Sequence, residues 1–86
     1  MDGENKLKND YNIVINGSPA AVPHSTVSYE EVTRIAFPVE ESGVTYSVSY
    51  RNAEGRHGGS GVLVAGESVT VKKEGTSFDV TPTTRS

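Results

Sequence analysis

The segment Val44–Arg51, VTYSVSYR, alternates without a break. Val44, Tyr46, Val48 and Tyr50 fall on one side, and Thr45, Ser47, Ser49 and Arg51 on the other. Successive side chains of a strand point to opposite faces, so this pattern predicts a strand with one buried and one wet face. A chain that carries it must build a sheet and cover one side of it. The composition agrees: 12 Val, 3 Ile and 8 Thr stand against 2 Leu. β-branched residues pack well on a pleated surface, so strands are favoured over a helical bundle. With 86 residues, one small domain fits and two do not.

Other strands follow from the same reading. In Asp10–Asn16, Tyr11, Ile13 and Ile15 alternate with polar or outward positions, and Asn16-Gly17 follows at once. Asn-Gly accepts positive φ at both positions, which is the strongest short-range hairpin signal. The returning strand is expected over Ser18–Val22, with the missing N–H of Pro19 facing an edge. Val62-Leu63-Val64 is a short apolar piece, and Ser68–Lys73 is a strand with Val69 and Val71 inward. Glu74-Gly75 is expected as a tight turn, and Thr76–Thr81 as the last strand, with Phe78 and Val80 inward.

Between them the period changes. Tyr29, Val32, Ile35 and Ala36 fall on one face at helical spacing, after an N-cap serine at Ser28. Glu31, three residues on, is placed to complete a capping box by reaching back to the Ser28 N–H, and Val27 and Val32 occupy the staple positions. Phe37 is pushed out of the α region by Pro38, so the helix is expected over about 29–37. A helix this short must lie against a sheet.

The domain is therefore expected over 10–81, with a flexible leader at 1–9 (only Leu7 is apolar there) and a flexible tail at 82–86. Pro82 donates no hydrogen bond, so the ladder is expected to weaken there. The order is hairpin, helix, strand, short piece, strand, strand. It predicts an α+β, β-grasp architecture: a four- to five-stranded mixed sheet with one helix on one face. The expected core is Ile13, Ile15, Val32, Ile35, Ala36, Tyr46, Val48, Val69, Val71, Phe78 and Val80. The rival, an all-β small barrel in which Ser28–Phe37 is only a turn, is disfavoured by the cap and staple.

Chemistry has few residues to work with. There is no Cys, so thiolate metal sites, Fe–S clusters and cysteine nucleophiles are excluded, and a reducing, cytoplasmic setting fits. His24 and His57 sit in loops without partners at metal-ligand spacing, which reads as solvated histidine, and no metal or cofactor is expected. Glu30-Glu31 and Glu40-Glu41 read as solvated charge. Gly55–Gly61 lacks the Gly-Lys-Ser/Thr of a phosphate loop and is followed by strand residues, so a flexible hairpin loop is the better reading. No Gly-x-Ser-x-Gly elbow is present. The net charge is −3, with −4 in residues 1–43 and +1 in 44–86, so nucleic acid is not expected as the partner. No run approaches the roughly 18 apolar residues of a membrane span, and no signal peptide is expected.

Five stretches, in this order, carry a resemblance: Tyr11–Gly17 (YNIVING), Ser28–Pro38 (SYEEVTRIAFP), Thr45–Tyr50 (TYSVSY), Gly66–Glu74 (GESVTVKKE) and Ser77–Thr81 (SFDVT). Together they resemble the bacterial multiubiquitin-type domain, a ubiquitin-like β-grasp module of prokaryotic conjugation operons. The resemblance implies a small modifier, not an enzyme. An adenylating enzyme would activate its C-terminal carboxylate, a conjugating enzyme would pass it to a target, and a peptidase would trim or remove it. The conjugation tail would be Thr83, Thr84, Arg85 and Ser86. Ubiquitin itself ends in Gly-Gly, and this chain does not. Either the partner enzyme admits the Arg85 and Ser86 side chains, or the chain is a precursor or trimmed form, or the module is never conjugated. The alternative function is thus a β-grasp binding or assembly module. Open sheet edges would leave self-association available to either.

Overall fold

A computed structural model describes residues 10–39, 42–55 and 59–84. The expected leader, Glu40-Glu41, His57 and the tail residues Arg85 and Ser86 lie outside the described residues. The elements are β1 (Tyr11–Ile15), β2 (Ser18–Val22), β3 (Thr26–Ser28), α1 (Tyr29–Ala36), β4 (Val44–Arg51), β5 (Gly61–Leu63), β6 (Ser68–Thr70) and β7 (Glu74–Thr84). Five strands form one sheet in the order β2-β1-β7-β4-β5, and β3 pairs with β6 in a separate ribbon. In the main sheet only β1 and β7 run parallel. One helix on a mixed sheet is the α+β arrangement expected.

The hairpin forms as the Asn-Gly pair dictates. Asn16 and Gly17 have φ of 53° and 82°, the pair of positive values that a type I′ turn needs. Ile15 pairs with Ser18 and Val14 with Pro19. In this register the Pro19 nitrogen points outward, where β2 is the sheet edge, so the missing donor loses no ladder bond.

At the start of α1 the Ser28 hydroxyl accepts from the Glu31 N–H at 3.0 Å. The reciprocal half of the capping box differs from expectation: the Glu31 carboxylate holds the His24 ring at 3.0 Å instead. His24 is therefore a tether between the β2–β3 connection and the helix rather than only a solvated side chain. Glu30 accepts from the Gly66 N–H at 3.0 Å, which ties the same helix turn to the connection after β5. Val27 and Val32, the staple pair, are both fully buried. We expect Ser28→Ala to cost about 1 kcal/mol, the usual loss for an N-cap. In a domain this small that lowers Tm by roughly 4–8 °C, readable by calorimetry. An unchanged Tm would show that the 3.0 Å bond contributes nothing.

The core lies between α1 and the sheet: Ile13, Ile15, Val22, Val32, Val48, Leu63, Val71, Phe78 and Val80 are buried, with Val27 beside them. Ile35 is a correction. It stands 40% exposed, because it overhangs the hairpin side, where Pro19 and Ala20 are too small to cover it. Ala36, Tyr46 and Val69 are only partly buried. Val69 pairs with Val27 in the ribbon and packs against the border of the core rather than inside it. β6 also stops at Thr70, and the Val71 N–H bonds the Ser25 carbonyl at 2.8 Å.

The β7 boundaries are corrected at both ends. Glu74-Gly75 is not a turn. Asn12 pairs with Glu74 but Val14 with Ser77, so β7 carries one extra residue there, and Gly75 has φ of 99°. A β-bulge and a turn share the same glycine signature. At the other end β7 does not stop at Thr81. Tyr46 pairs with Pro82, Thr45 with Thr83 and Val44 with Thr84. Pro82 is tolerated because the Val80 N–H, two residues earlier, points toward the β1 side. By the period of two, the Pro82 nitrogen points the same way, past the end of β1, where no ladder bond is lost.

Candidate functional site

The end of the molecule where β7 leaves the sheet gathers four segments. The β1–β2 turn, the C-terminus of α1, the start of β4 and the Pro82–Thr84 stretch of β7 meet there. Tyr46 and Phe37 stack, with ring centroids 5.0 Å apart and planes 18° from parallel. Offset aromatic stacking of this kind fixes both rings. A groove of about 310 Å³ opens beside them, lined by Ala36, Phe37, Pro38, Val39, Tyr46 and Pro82. Val39 is 74% exposed on its rim. A second groove, of about 260 Å³, runs between α1 and the hairpin, and Ala36 and Ile35 line it with Pro19 and Ala20. None of the residues lining these two grooves is charged.

Two side chains act as substitutes for strands that end early. The Asn16 amide spans Val80, accepting from its N–H at 2.8 Å and donating to its carbonyl at 3.0 Å. The Tyr29 hydroxyl does the same for Tyr46, donating to its carbonyl at 2.7 Å and accepting from its N–H at 3.3 Å. Each satisfies backbone groups that the neighbouring strand no longer reaches.

The sheet face away from α1 is polar. The Arg51 guanidinium meets the Asp79 carboxylate at 2.7 Å, and the Thr45 and Thr83 hydroxyls lie 2.8 Å apart. Ser47 pairs with Thr81 between them. The Arg51–Asp79 pair is about half exposed, so its contribution to stability is small.

Of the four tail residues expected from the sequence, Thr83 and Thr84 belong to β7. The Thr83 hydroxyl also donates to the Thr45 carbonyl at 3.2 Å. Arg85 and Ser86 lie outside the described residues. The sequence reading did not single out the aromatic stack, Val39 or the Asn16 and Tyr29 bridges as a site. Strand length was the available signal: the eight-residue alternation of β4 needs a partner of equal length, and only a β7 running to Thr84 supplies it. No group of three or more His, Asp or Glu residues able to hold a metal occurs among the described residues. No described helix is long and apolar enough to cross a membrane. The surfaces just described are suited to binding: an aromatic groove at one end and a hydroxyl-rich face on the sheet.

A helix laid over a mixed sheet whose first and last strands run parallel at its centre defines a ubiquitin-like, β-grasp domain. A family model described as multiubiquitin matches residues 11–84. The chain belongs to the multiubiquitin family. Comparison with curated proteins and with solved structures gave no match.

Proposed function

We propose that this chain is a ubiquitin-like protein modifier of a bacterial, cytoplasmic conjugation pathway. In this reading an adenylating enzyme brings the C-terminal carboxylate, after Ser86, onto the α-phosphate of ATP. The acyl-adenylate forms and pyrophosphate leaves. A conjugating enzyme then carries the activated chain to its target, and a peptidase trims or releases it. The observation that carries the reading is the family match over β1 to β7. The placement of β7 supports it: a central strand, buried at Phe78 and Val80, leads the chain out at one end of the body beside an aromatic groove.

Deleting Arg85 and Ser86 is the test. The carboxylate would retreat by roughly 6–7 Å of extended chain, onto Thr84, which the ladder holds against Val44. We expect folding to be unchanged and ATP–pyrophosphate exchange by the adenylating enzyme to be lost. Exchange at the full rate with the truncated chain would overturn the modifier reading.

One observation favours a second reading, a binding module recognised as a folded body and never conjugated. β7 stays paired through Thr84, so half of the proposed tail is held in the sheet. That reading expects truncation to leave partner affinity intact. It expects substitutions on the polar face, such as Arg51→Ala with Asp79→Ala, to weaken it.

A further inference from the structure

Asn16 is the one asparagine of the chain that precedes a glycine. Such a pair has a chemistry of its own. The nitrogen of the following residue can attack the side-chain carbonyl carbon, and glycine, with no Cβ, leaves that approach open. A bond forms between the Gly17 nitrogen and the Asn16 Cγ, the amide nitrogen leaves as ammonia, and a five-membered succinimide ring results. Water then opens the ring at either carbonyl. Cleavage between Cγ and nitrogen gives aspartate. Cleavage of the original peptide bond gives isoaspartate, in which the chain runs through Cβ and Cγ. In both cases one amide and one water become one carboxyl group and one ammonia. Asn16 and Gly17 are both exposed, so water reaches the site.

The fold holds this pair away from the reaction in two ways. The Asn16 backbone is left-handed, with φ of 53°. A left-handed residue has ψ of about +47°, which sets its Cβ on the opposite side of the Cα–C bond from the next nitrogen. A succinimide needs the two on the same side, so the turn must open first. The side chain is held as well. It accepts from the Val80 N–H at 2.8 Å and donates to the Val80 carbonyl at 3.0 Å, while the Asn16 N–H donates to the Phe78 carbonyl at 2.9 Å. Ring closure turns the carboxamide off Val80 and breaks both side-chain bonds. The other described asparagines, Asn12 and Asn52, precede Ile13 and Ala53, whose Cβ atoms hinder the same attack.

We propose that Asn16 is a modification site: a deamidation site guarded by Val80, whose isoaspartyl product unties β1 from the last span of β7. The consequence follows atom by atom. In isoaspartate, Cγ and its oxygen enter the backbone, and the nitrogen that donated to the Val80 carbonyl has left. The main chain gains one methylene inside a two-residue turn, where loop length fixes the register. Among the described residues Asn16 is the last on the β1 side to bond β7. Once it lets go, β7 from Val80 to Thr84 is held by β4 alone. Aspartate changes less: it still accepts from the Val80 N–H, and Asp-Gly serves the same turn. Deamidation needs water and no conjugating enzyme, so it is independent of the modifier reading.

The full chain is aged at mildly alkaline pH and its peptides are mapped by mass spectrometry, with isoaspartate counted by isoaspartyl methylation. The reference is the peptide acetyl-Val-Ile-Asn-Gly-Ser-Pro-amide in the same buffer. We expect conversion at Asn16 and not at Asn12 or Asn52. The folded chain should react at least roughly tenfold more slowly than the peptide, since the turn and its hydrogen bonds must open first. The slowing should be no smaller than the exchange protection of the Val80 amide, and urea should abolish it. A peptide-like rate in the folded chain, or a slowing smaller than the Val80 protection, would overturn the guard. Asn16 left intact in urea would overturn the site. The chain synthesised with isoaspartate in place of Asn16, set beside Asn16→Asp, tests the consequence. Val80 amide exchange should be roughly tenfold faster or more in the isoaspartyl chain, with the β4 amides still protected, and closer to the parent in Asn16→Asp. Parent-like Val80 protection in the isoaspartyl chain, loss of the β4 protection, or equal loss at Val80 in both chains would overturn the untying.

Discussion

Phe78→Ala should leave the chain without a cooperative unfolding transition at 37 °C. Phe78 is the largest fully buried side chain among the described residues. It sits in the central strand, opposite Tyr50 on β4 and Ile15 on β1. Its ring lies 6.3 Å from that of Tyr50, tilted by 49°. Truncating a buried phenylalanine to alanine removes transfer energy and leaves a cavity, typically costing about 3–5 kcal/mol. A domain of this size has a total stability on the order of 5 kcal/mol. Among the described residues its core cluster comprises ten buried apolar side chains, so few neighbours can collapse into the hole. Urea unfolding followed by circular dichroism checks this. A midpoint within roughly 0.5 M of the parent would mean that the ring does not hold the sheet to the helix. Phe78→Leu, which keeps most of the volume, should retain a cooperative transition at reduced midpoint.

The parts of this fold legible in the sequence are those where two local signals coincide. Asn16-Gly17 combines turn chemistry with alternating residues on both sides, and the hairpin forms as read. Ser28, with Val27 and Val32 around it, combines a cap with a staple, and α1 starts there. The alternation of VTYSVSYR is long enough to fix both the strand and its face. What was not legible depends on distant partners. β3 is three residues, too short to show a period, and it forms by pairing with β6, the strand read over Ser68–Lys73 that here covers only Ser68–Thr70. Ala53 and Thr76 are buried by contacts across the chain. The Thr76 hydroxyl is satisfied between the Lys72 N–H and the Asn52 carbonyl, at 3.0 and 2.9 Å, a bridge that no local pattern announces.

The candidate site shows the same division. Pro82 reads locally as the end of a ladder, because proline removes a donor. Whether that donor was needed depends on which way the nitrogen faces and where β1 stops, and both are facts of the sheet. The groove has a similar origin. Phe37, Pro38 and Val39 follow the helix and read as its termination signal. They become a surface only because β4 and β7 deliver Tyr46 and Pro82 beside them. The functional reading therefore rests on the family match for its class and on the end of β7 for its location.

Gly59→Ala should be the most damaging change outside the core, costing about 2–4 kcal/mol. The loop after β4 reads from the sequence as a flexible glycine-rich hairpin loop, yet its described ends are pinned. The Ala53 N–H donates to the Gly59 carbonyl at 2.9 Å, and the Glu54 N–H to the Thr70 carbonyl at 2.9 Å. Gly59 has φ of 69°, a left-handed value that costs a residue with a Cβ roughly 1–2 kcal/mol. Here the Cβ would also overlap the Ala53 carbonyl oxygen and lie 2.6 Å from the Ala53 nitrogen. Both neighbours are backbone atoms of a buried residue, so neither can rotate away. The loop would have to lift, breaking the Ala53–Gly59 bond and exposing Ala53. Gly43→Ala separates the two causes. Gly43 also has a left-handed φ, of 83°, but a Cβ there meets nothing within 4 Å, so only the strain of about 1–2 kcal/mol applies. Chemical denaturation of the two variants side by side gives the comparison. Equal losses would show that Gly59 is conserving backbone conformation alone, and that the close approach to Ala53 relaxes without cost.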